Sequence, residues 1–235
     1  MNSKTENNLN NEQKANVRHW PKTFDQAVKV AASHVARYGF AEKYAADKKV
    51  CDIGCGAGYG SNYLAQKACH VVAIDISEDA VSWASKHFAK DNLRFLAANA
   101  DEKWPVDDKF DVITTFETME HVQNPNHFLE QIFEHLSPGG TLILSVPNGP
   151  RDKDKTNNPY HIHHFTDTDL KKLFGEYFSK TEYFSQDYKK DLKHYGSKFL
   201  KKVKLLKKQP YFVNNFYLLP GLNHKLKTWI VFAHK

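Results

Sequence analysis

Up to residue 150 the chain alternates between two hydrophobic rhythms. Short apolar runs of five to eight residues end in glycine or acidic residues. Between them lie stretches in which apolar positions recur every three or four residues. Residues 21–46 carry Val28, Ala31, Ala32 and Val35 at helical spacing, and predict a helix. KKVCDIG (48–54) predicts a buried strand, GYGSNYLAQKA (58–68) a helix and HVVAIDIS (70–77) a second strand. SEDAVSWASKHFAK (77–90) predicts a helix capped by serine with acidic residues in its first turn. Strands follow at 93–100 and 109–116. An amphipathic helix at 124–136 is stopped by SPGG, and a fifth strand covers 140–147. Strands and helices alternating in this way imply right-handed βαβ units and a parallel sheet covered on both faces, an α/β fold of the Rossmann-like doubly wound type.

Beyond Pro150 the rhythm breaks. A polar loop, RDKDKTNNPYHIHHFT, leads into a helix, TDTDLKKLFGEYF, with a Thr or Asp cap. Residues 180–186 and 228–235 read as two late strands. Between them, residues 187–227 form a lysine-rich insertion, expected to be helical. The first 20 residues are polar and Asn-rich and read as a disordered tail, which leaves 21–235 as one domain. No internal repeat is evident.

Composition adds little until its distribution is considered. The net charge is +6, but Lys189 to Lys208 concentrates positive charge. That run either attracts anionic lipid or nucleic acid, or is a solvated helix face. Three cysteines (Cys51, Cys55 and Cys69) match no zinc spacing and suit a reduced intracellular protein. No segment is apolar and long enough to span a bilayer. The expected location is the cytoplasm, with peripheral contact at the inner membrane face through the lysine run. A homodimer is a further expectation.

Two places carry chemistry. The first strand runs into CDIGCGAGYG, whose glycines at 54, 56, 58 and 60 allow close approach of a ligand to backbone. The dinucleotide fingerprint GxGxxG is not met, because Tyr59 stands at its sixth position. The turn therefore suits a nucleoside without a pyrophosphate. Asp75, at the end of the next strand, can accept hydrogen bonds from both hydroxyls of a ribose. The second place is TTFETMEHV, where the fourth strand stops at Glu117, Glu120 and His121. If this segment begins a helical turn, all three share a face at i, i+3 and i+4. His121 is then a general base oriented by a glutamate. Alternatively the three, with His161, hold a divalent cation, magnesium or manganese, or the glutamates complement a helix dipole.

CDIGCGAGYG, AIDIS, ANADEKWP, FDVITTFETMEH and LSPGGTLILSVPN, in this order, resemble class I S-adenosylmethionine-dependent methyltransferases. The resemblance implies a seven-stranded sheet whose last strand, TWIVFAHK, is antiparallel. It implies that Gly54, Gly56 and Gly58, with the intervening Cys55, line the methionine part of the cofactor, and that Asp52 helps hold its amino end. It further implies that Asp75 binds the ribose, Ile76 packs on adenine, Asn99 accepts from the adenine amino group and Ala100 offers its backbone N–H. Phe116 falls at the end of the fourth strand, beside this site. Arg37, sharing a helix face with His34 and Tyr38, is a candidate partner for the cofactor carboxylate. HVARYGFA, GCGAGYGS, SVPN and NPYHIHHFT are similar to methyltransferases of bacterial surface-polysaccharide clusters, which implies O-methylation of a sugar or glycan. ExxEH resembles small-RNA 2′-O-methyltransferases that use a metal. ETMEHV followed by a helix and SPGG resembles ubiquinone-pathway O-methyltransferases, so RNA 3′ ends and a small phenolic or quinone precursor are alternative acceptors. A binding module with a vestigial cofactor pocket, working through the lysine run, is the alternative of another class.

Overall fold

The computed structural model describes residues 20–148, 160–188, 212–213 and 216–235. The elements follow in chain order as α1 (Phe24–Ala45), β1 (Lys49–Ile53), α2 (Tyr59–Leu64), β2 (His70–Asp75), α3 (Glu78–His87), β3 (Leu93–Ala97), β4 (Phe110–Phe116), α4 (Pro125–His135), β5 (Leu136–Pro147), α5 (Asp167–Gly175), β6 (Lys180–Tyr188), β7 (Phe212–Val213), β8 (Phe216–Pro220) and β9 (Thr228–His234). The described strands form one sheet in the order β3-β2-β1-β4-β5-β9-β6-β8-β7. β1 to β5 pair in parallel, and β9 runs antiparallel between β5 and β6. The chain crosses from β1 outward to β3 and then back to β4. This places the topological switch between β1 and β4, where open sheets of this kind bind ligands at the carboxyl ends of their strands.

Local chemistry accounts for the helix starts. Thr23, Ser77, Asn124 and Thr166 each accept a backbone N–H from the first turn that follows, and Thr166 with Asp169 completes a capping box. The axis of α1 breaks at Ala31.

Two expectations need revision. The seven strands and the antiparallel last strand are present, but two further strands, β7 and β8, extend the sheet beyond β6. The described part of the 187–227 insertion is thus largely extended rather than helical: Asp187 and Tyr188 belong to β6 and pair with Tyr217 and Phe216. The unpaired edge of β6 offers backbone donors and acceptors that a returning strand satisfies. The Lys189–Lys208 run and residues 1–19 of the tail lie outside the described residues. No described helix is long and apolar enough to cross a membrane.

The two cores lie on opposite faces of the sheet, and strand parity decides which residue goes where. On β1, Cys51 and Ile53 join the core shared with α4 and α5, whereas Val50 joins the core under α1 and α2. Asp52 has the parity of Val50, and Thr114 and Phe116 on β4 have that of Val112. All three therefore point beneath α1 and α2.

Candidate active site

β1 ends in a turn in which Gly54, Gly56 and Gly58 all have positive φ, at 73°, 53° and 75°. Their roles differ. A Cβ on Gly54 would collide with the Thr118 hydroxyl, and one on Gly56 would meet nothing within 4 Å. A Cβ on Gly58 would sit 2.6 Å from the Phe95 ring and 2.7 Å from Ala84. Gly58 is thus small for packing against α3 and β3, and its N–H is taken by the Cys55 carbonyl at 3.0 Å. The turn is held to β2 by Gly54 and Cys55, whose N–H groups both donate to the Ile74 carbonyl.

Asp75 joins the turn to α3. Its Oδ2 accepts from the Gly56 N–H at 2.7 Å and its Oδ1 from the Ser77 N–H at 2.9 Å. Each carboxylate oxygen keeps a second lone pair for a ligand. A cavity of about 270 Å³ opens here. From the β2 and β3 side it is lined by Asp75, Ile76, Asn99 and Ala100, from the floor by Gly54, and from the β4 side by Glu117, Thr118 and His121. Ile76 is 70% exposed, an unusual degree for an isoleucine.

Several predicted contacts do not reach this cavity. Asp52 is fully buried: Ser61 Oγ donates to its Oδ2 at 2.6 Å, Tyr38 OH to the same oxygen at 3.2 Å, and Thr114 Oγ1 to its Oδ1 at 2.7 Å. Burial pushes its carboxyl up to about 6, against the pull of those three hydroxyls. Phe116 packs edge-on against Tyr38, with ring centroids 4.9 Å apart, and Cys55 is likewise buried in that core. Parity explains Asp52 and Phe116, and Tyr38 is the α1 ring that covers them. Asn99 does line the cavity, and its Oδ1, the expected acceptor for adenine, accepts from the Asp101 N–H at 3.1 Å.

Arg37 is 4% exposed and committed elsewhere. Its Nε donates to Gln186 Oε1 at 2.9 Å, one terminal nitrogen donates to Thr228 Oγ1 at 3.3 Å, and the other pairs with Glu117 Oε1 at 3.2 Å. That last contact is an ion pair without hydrogen-bond geometry, and the nitrogen has no hydrogen-bond partner among the described residues.

The segment after β4 is not one helical turn. Glu117 adopts a left-handed conformation, φ 54°, and departs from the other two ionisable groups. Glu117 turns to Arg37 and to Ser145, whose Oγ donates to Glu117 Oε1 at 2.8 Å. Glu120 and His121 instead meet the loop that precedes α5. The Ile162 and His163 N–H groups both donate to the Glu120 carbonyl, at 3.0 and 3.1 Å, which staples that loop to the turn. His121 Nδ1 lies 2.8 Å from the Tyr160 carbonyl. A carbonyl can only accept, so Nδ1 carries the proton and the lone pair of a neutral ring sits on Nε2. Nε2 is 3.9 Å from Glu120 Oε1, and the His161 ring stands edge-on to His121 at 4.8 Å. Glu120, His121 and His161 bring donor atoms within 4.8 Å of one another. Both carboxylate oxygens of Glu120 are buried with no hydrogen-bond partner among the described residues. Burial, then the nearby Glu117, pushes its carboxyl up to about 8. His161 is held below the usual imidazole range by burial and by His121 and His164.

Sequence reasoning missed Thr118, Asp101 and Val122, which also line the cavity. Asp101, within the ANADE segment, could have been found by its charge. It accepts the Gln123 N–H at 2.8 Å and the Asn124 N–H at 3.2 Å, which ties the β3 loop to the start of α4. Ser145, Gln186 and Thr228 carry no local signal, being single polar residues within strands.

A family model described as a methyltransferase domain matches residues 17–177, more than half of the chain. Among curated proteins, the mitochondrial ubiquinone biosynthesis O-methyltransferase of Schizosaccharomyces pombe is 36% identical over 104 residues, 42% of this chain and 38% of that protein. A ubiquinone biosynthesis O-methyltransferase of Psychrobacter cryohalolentis is 35% identical over 115 residues, 46% of this chain and 44% of that protein. A phosphoethanolamine N-methyltransferase of Triticum aestivum is 38% identical over 101 residues, 42% of this chain and 20% of that protein. The chain thus spans less than half the length of each of these relatives. Among solved structures, an S-adenosylmethionine-dependent methyltransferase from Mesorhizobium loti superposes with a TM-score of 0.61 at 15% identity, covering 88% of this chain and 99% of that one. The N-methyltransferase NodS from Bradyrhizobium japonicum, solved with S-adenosyl-L-homocysteine, gives 0.60 at 14% identity, covering 87% and 86%. At these identities the likeness extends to the fold.

Proposed function

We propose, from the fact that the chain belongs to the methyltransferase-domain family whose model it matches, that it transfers a methyl group from S-adenosylmethionine to a hydroxyl, with His121 as the general base. The observation that carries this reading is a single cavity bordered both by Asp75 and by His121. The residues present fit the cofactor. Asp75 has lone pairs to spare for a ribose, and exposed Ile76 supplies an apolar face for adenine. When bound, the cofactor supplies an activated methyl. The chain's own part is to hold the acceptor oxygen in line and to take its proton at His121 Nε2, the nitrogen left free by the Tyr160 carbonyl.

The acceptor that fits best is a phenolic hydroxyl of the quinone-precursor kind. A phenol ionises near pH 10, as tyrosine does, so an imidazole base can assist its deprotonation. A sugar hydroxyl is a far weaker acid. Tyr160 and Ile162, 75% and 37% exposed, flank His161 and offer apolar surface beside the base. The names of the relatives are consistent with this choice and lend no support to a polysaccharide acceptor. Titration with S-adenosylhomocysteine tests the cofactor assignment: heat is expected from the wild type and none from Asp75→Ala. A flat wild-type trace from folded protein rejects it. Mass spectrometry of phenols, sugars and short RNAs for a gain of one methyl tests the acceptor.

A second reading is favoured by Glu120, whose buried carboxylate lacks any partner among the described residues while facing His121 and His161. One carboxylate and two imidazoles suit manganese or another transition ion better than magnesium. Glu117 is not part of this donor set, whose atoms come from Glu120, His121 and His161. Such an ion would orient vicinal hydroxyls and lower their pKa. Activity lost to a chelator and restored by manganese supports this version; activity indifferent to the chelator leaves the base version alone.

A further inference from the structure

We propose that Glu117 receives the α-ammonium group at the amino-acid end of the cofactor, and that Arg37 serves to hold Glu117 in place for it. The assignment rests on the methyl-transfer reading above. Asp52 is the residue to which the family resemblance gives this task. Asp52 is fully buried, with three hydroxyls already donating to its two oxygens, and it does not border the cavity.

Glu117 does border the cavity, next to Thr118 and across from Gly54. Its left-handed backbone, φ 54°, is uncommon for a residue with a side chain. The conformation is enforced by Ser145: the Glu117 N–H donates to the Ser145 carbonyl at 3.0 Å and to its Oγ at 3.2 Å. The side chain is equally constrained, but on one oxygen. Ser145 Oγ, at 2.8 Å, and Arg37, at 3.2 Å, both meet Oε1. Among the described residues Oε2 has no hydrogen bond, and the side chain remains 28% exposed. A carboxylate with one oxygen clamped and the other open is pre-organised for a cation.

Arg37 is almost wholly buried and faces Glu117. Its Nε and one terminal nitrogen donate to Gln186 and Thr228, and the other terminal nitrogen, 3.2 Å from Glu117 Oε1, makes no hydrogen bond among the described residues. Of the other cavity carboxylates, Asp75 accepts from Gly56 and Ser77 and gives its remaining lone pairs to the ribose, and Asp101 accepts from Gln123 and Asn124. Glu117 is the cavity carboxylate on the β4 side.

Titration calorimetry in the presence of a chelator tests the assignment with three probes: S-adenosylhomocysteine, its analogue lacking the α-amino group, and 5′-methylthioadenosine, which lacks the whole amino-acid end. Wild type is expected to bind S-adenosylhomocysteine at least tenfold tighter than the desamino analogue. Glu117→Gln keeps an amide to meet Ser145. It is expected to lose at least tenfold in affinity for S-adenosylhomocysteine, while binding the other two probes as wild type does. An unchanged preference for the amino group in Glu117→Gln overturns the assignment. So does equal weakening of all three probes, which marks a structural role. If wild type binds neither S-adenosylhomocysteine nor methylthioadenosine, the methyl-transfer reading itself fails and the assignment falls with it.

Discussion

His121 donates its Nδ1 proton to the Tyr160 carbonyl across 2.8 Å, so a loop 39 residues further along the chain decides which imidazole nitrogen is free. Sequence inspection assigns the orienting role to a glutamate. Instead, Glu120 lies on the other side of the ring, 3.9 Å from Nε2, and Glu117 turns away toward Arg37. A backbone carbonyl fixes the tautomer without adding charge, and its position depends on the Ile162 and His163 N–H groups that hold the loop to the Glu120 carbonyl.

His121→Ala is expected to lower turnover by about 10²–10⁴-fold while leaving affinity for S-adenosylhomocysteine within a few-fold of wild type. Steady-state kinetics and calorimetry on the same preparation provide the check. Unchanged turnover removes His121 from the chemistry.

Glu120 makes stability depend on pH in the alkaline direction. Its folded pKa, about 8, lies above the ordinary 4.5, so the native state binds the extra proton between those values. The contribution is fully present below about pH 4.5 and is lost as pH rises through 8. Relative to wild type, Glu120→Gln is therefore expected to melt higher at pH 9 than at pH 5. Thermal melts at both values measure this. Manganese at pH 8 is expected to raise the melting temperature of wild type, and not of the variant, if the cation reading holds.

His34 acts in the opposite direction. Burial, then Arg37, lowers its pKa from 6.5 to about 3, and its Nδ1 lies 2.8 Å from the Tyr59 hydroxyl. The unfolded chain takes up the proton first, so the contribution is present above pH 6.5 and erodes as pH falls toward 3. Denaturant midpoints are expected to show wild type losing up to about 1.4 kcal/mol per pH unit in this window relative to His34→Phe. Parallel curves for the two proteins would contradict a ring kept neutral.

The glycines of the turn are expected to separate on substitution. Gly56→Ala meets open space and bears only the left-handed backbone cost of about 1–2 kcal/mol. Gly58→Ala adds collisions with Phe95 and Ala84, typically about 1–3 kcal/mol more. Equilibrium unfolding of both variants tests the ranking.

The parallel sheet, its order of strands and helices, the glycine turn and the strand-end carboxylate of Asp75 were legible in the sequence. Each rests on local information: a run of apolar residues, a cap, a glycine, a charge where a strand stops. The destinations of side chains were not. Asp52 and Phe116 read as ligand contacts until the pairing of β1 with β4 gave them a common face, under Tyr38. Glu117, Glu120 and His121 read as one cluster until a left-handed residue turned Glu117 toward Arg37 and left Glu120 and His121 together. Arg37 read as a ligand clamp until β6 and β9 delivered Gln186 and Thr228 to it, 149 and 191 residues away in the chain. Periodicity and composition are properties of neighbours along the chain and determine which elements form. Which hydroxyl or carbonyl saturates a given charge is settled only when distant strands are brought into register. A buried polar group takes whatever partner that register supplies, and only what is left unpaired remains for a ligand.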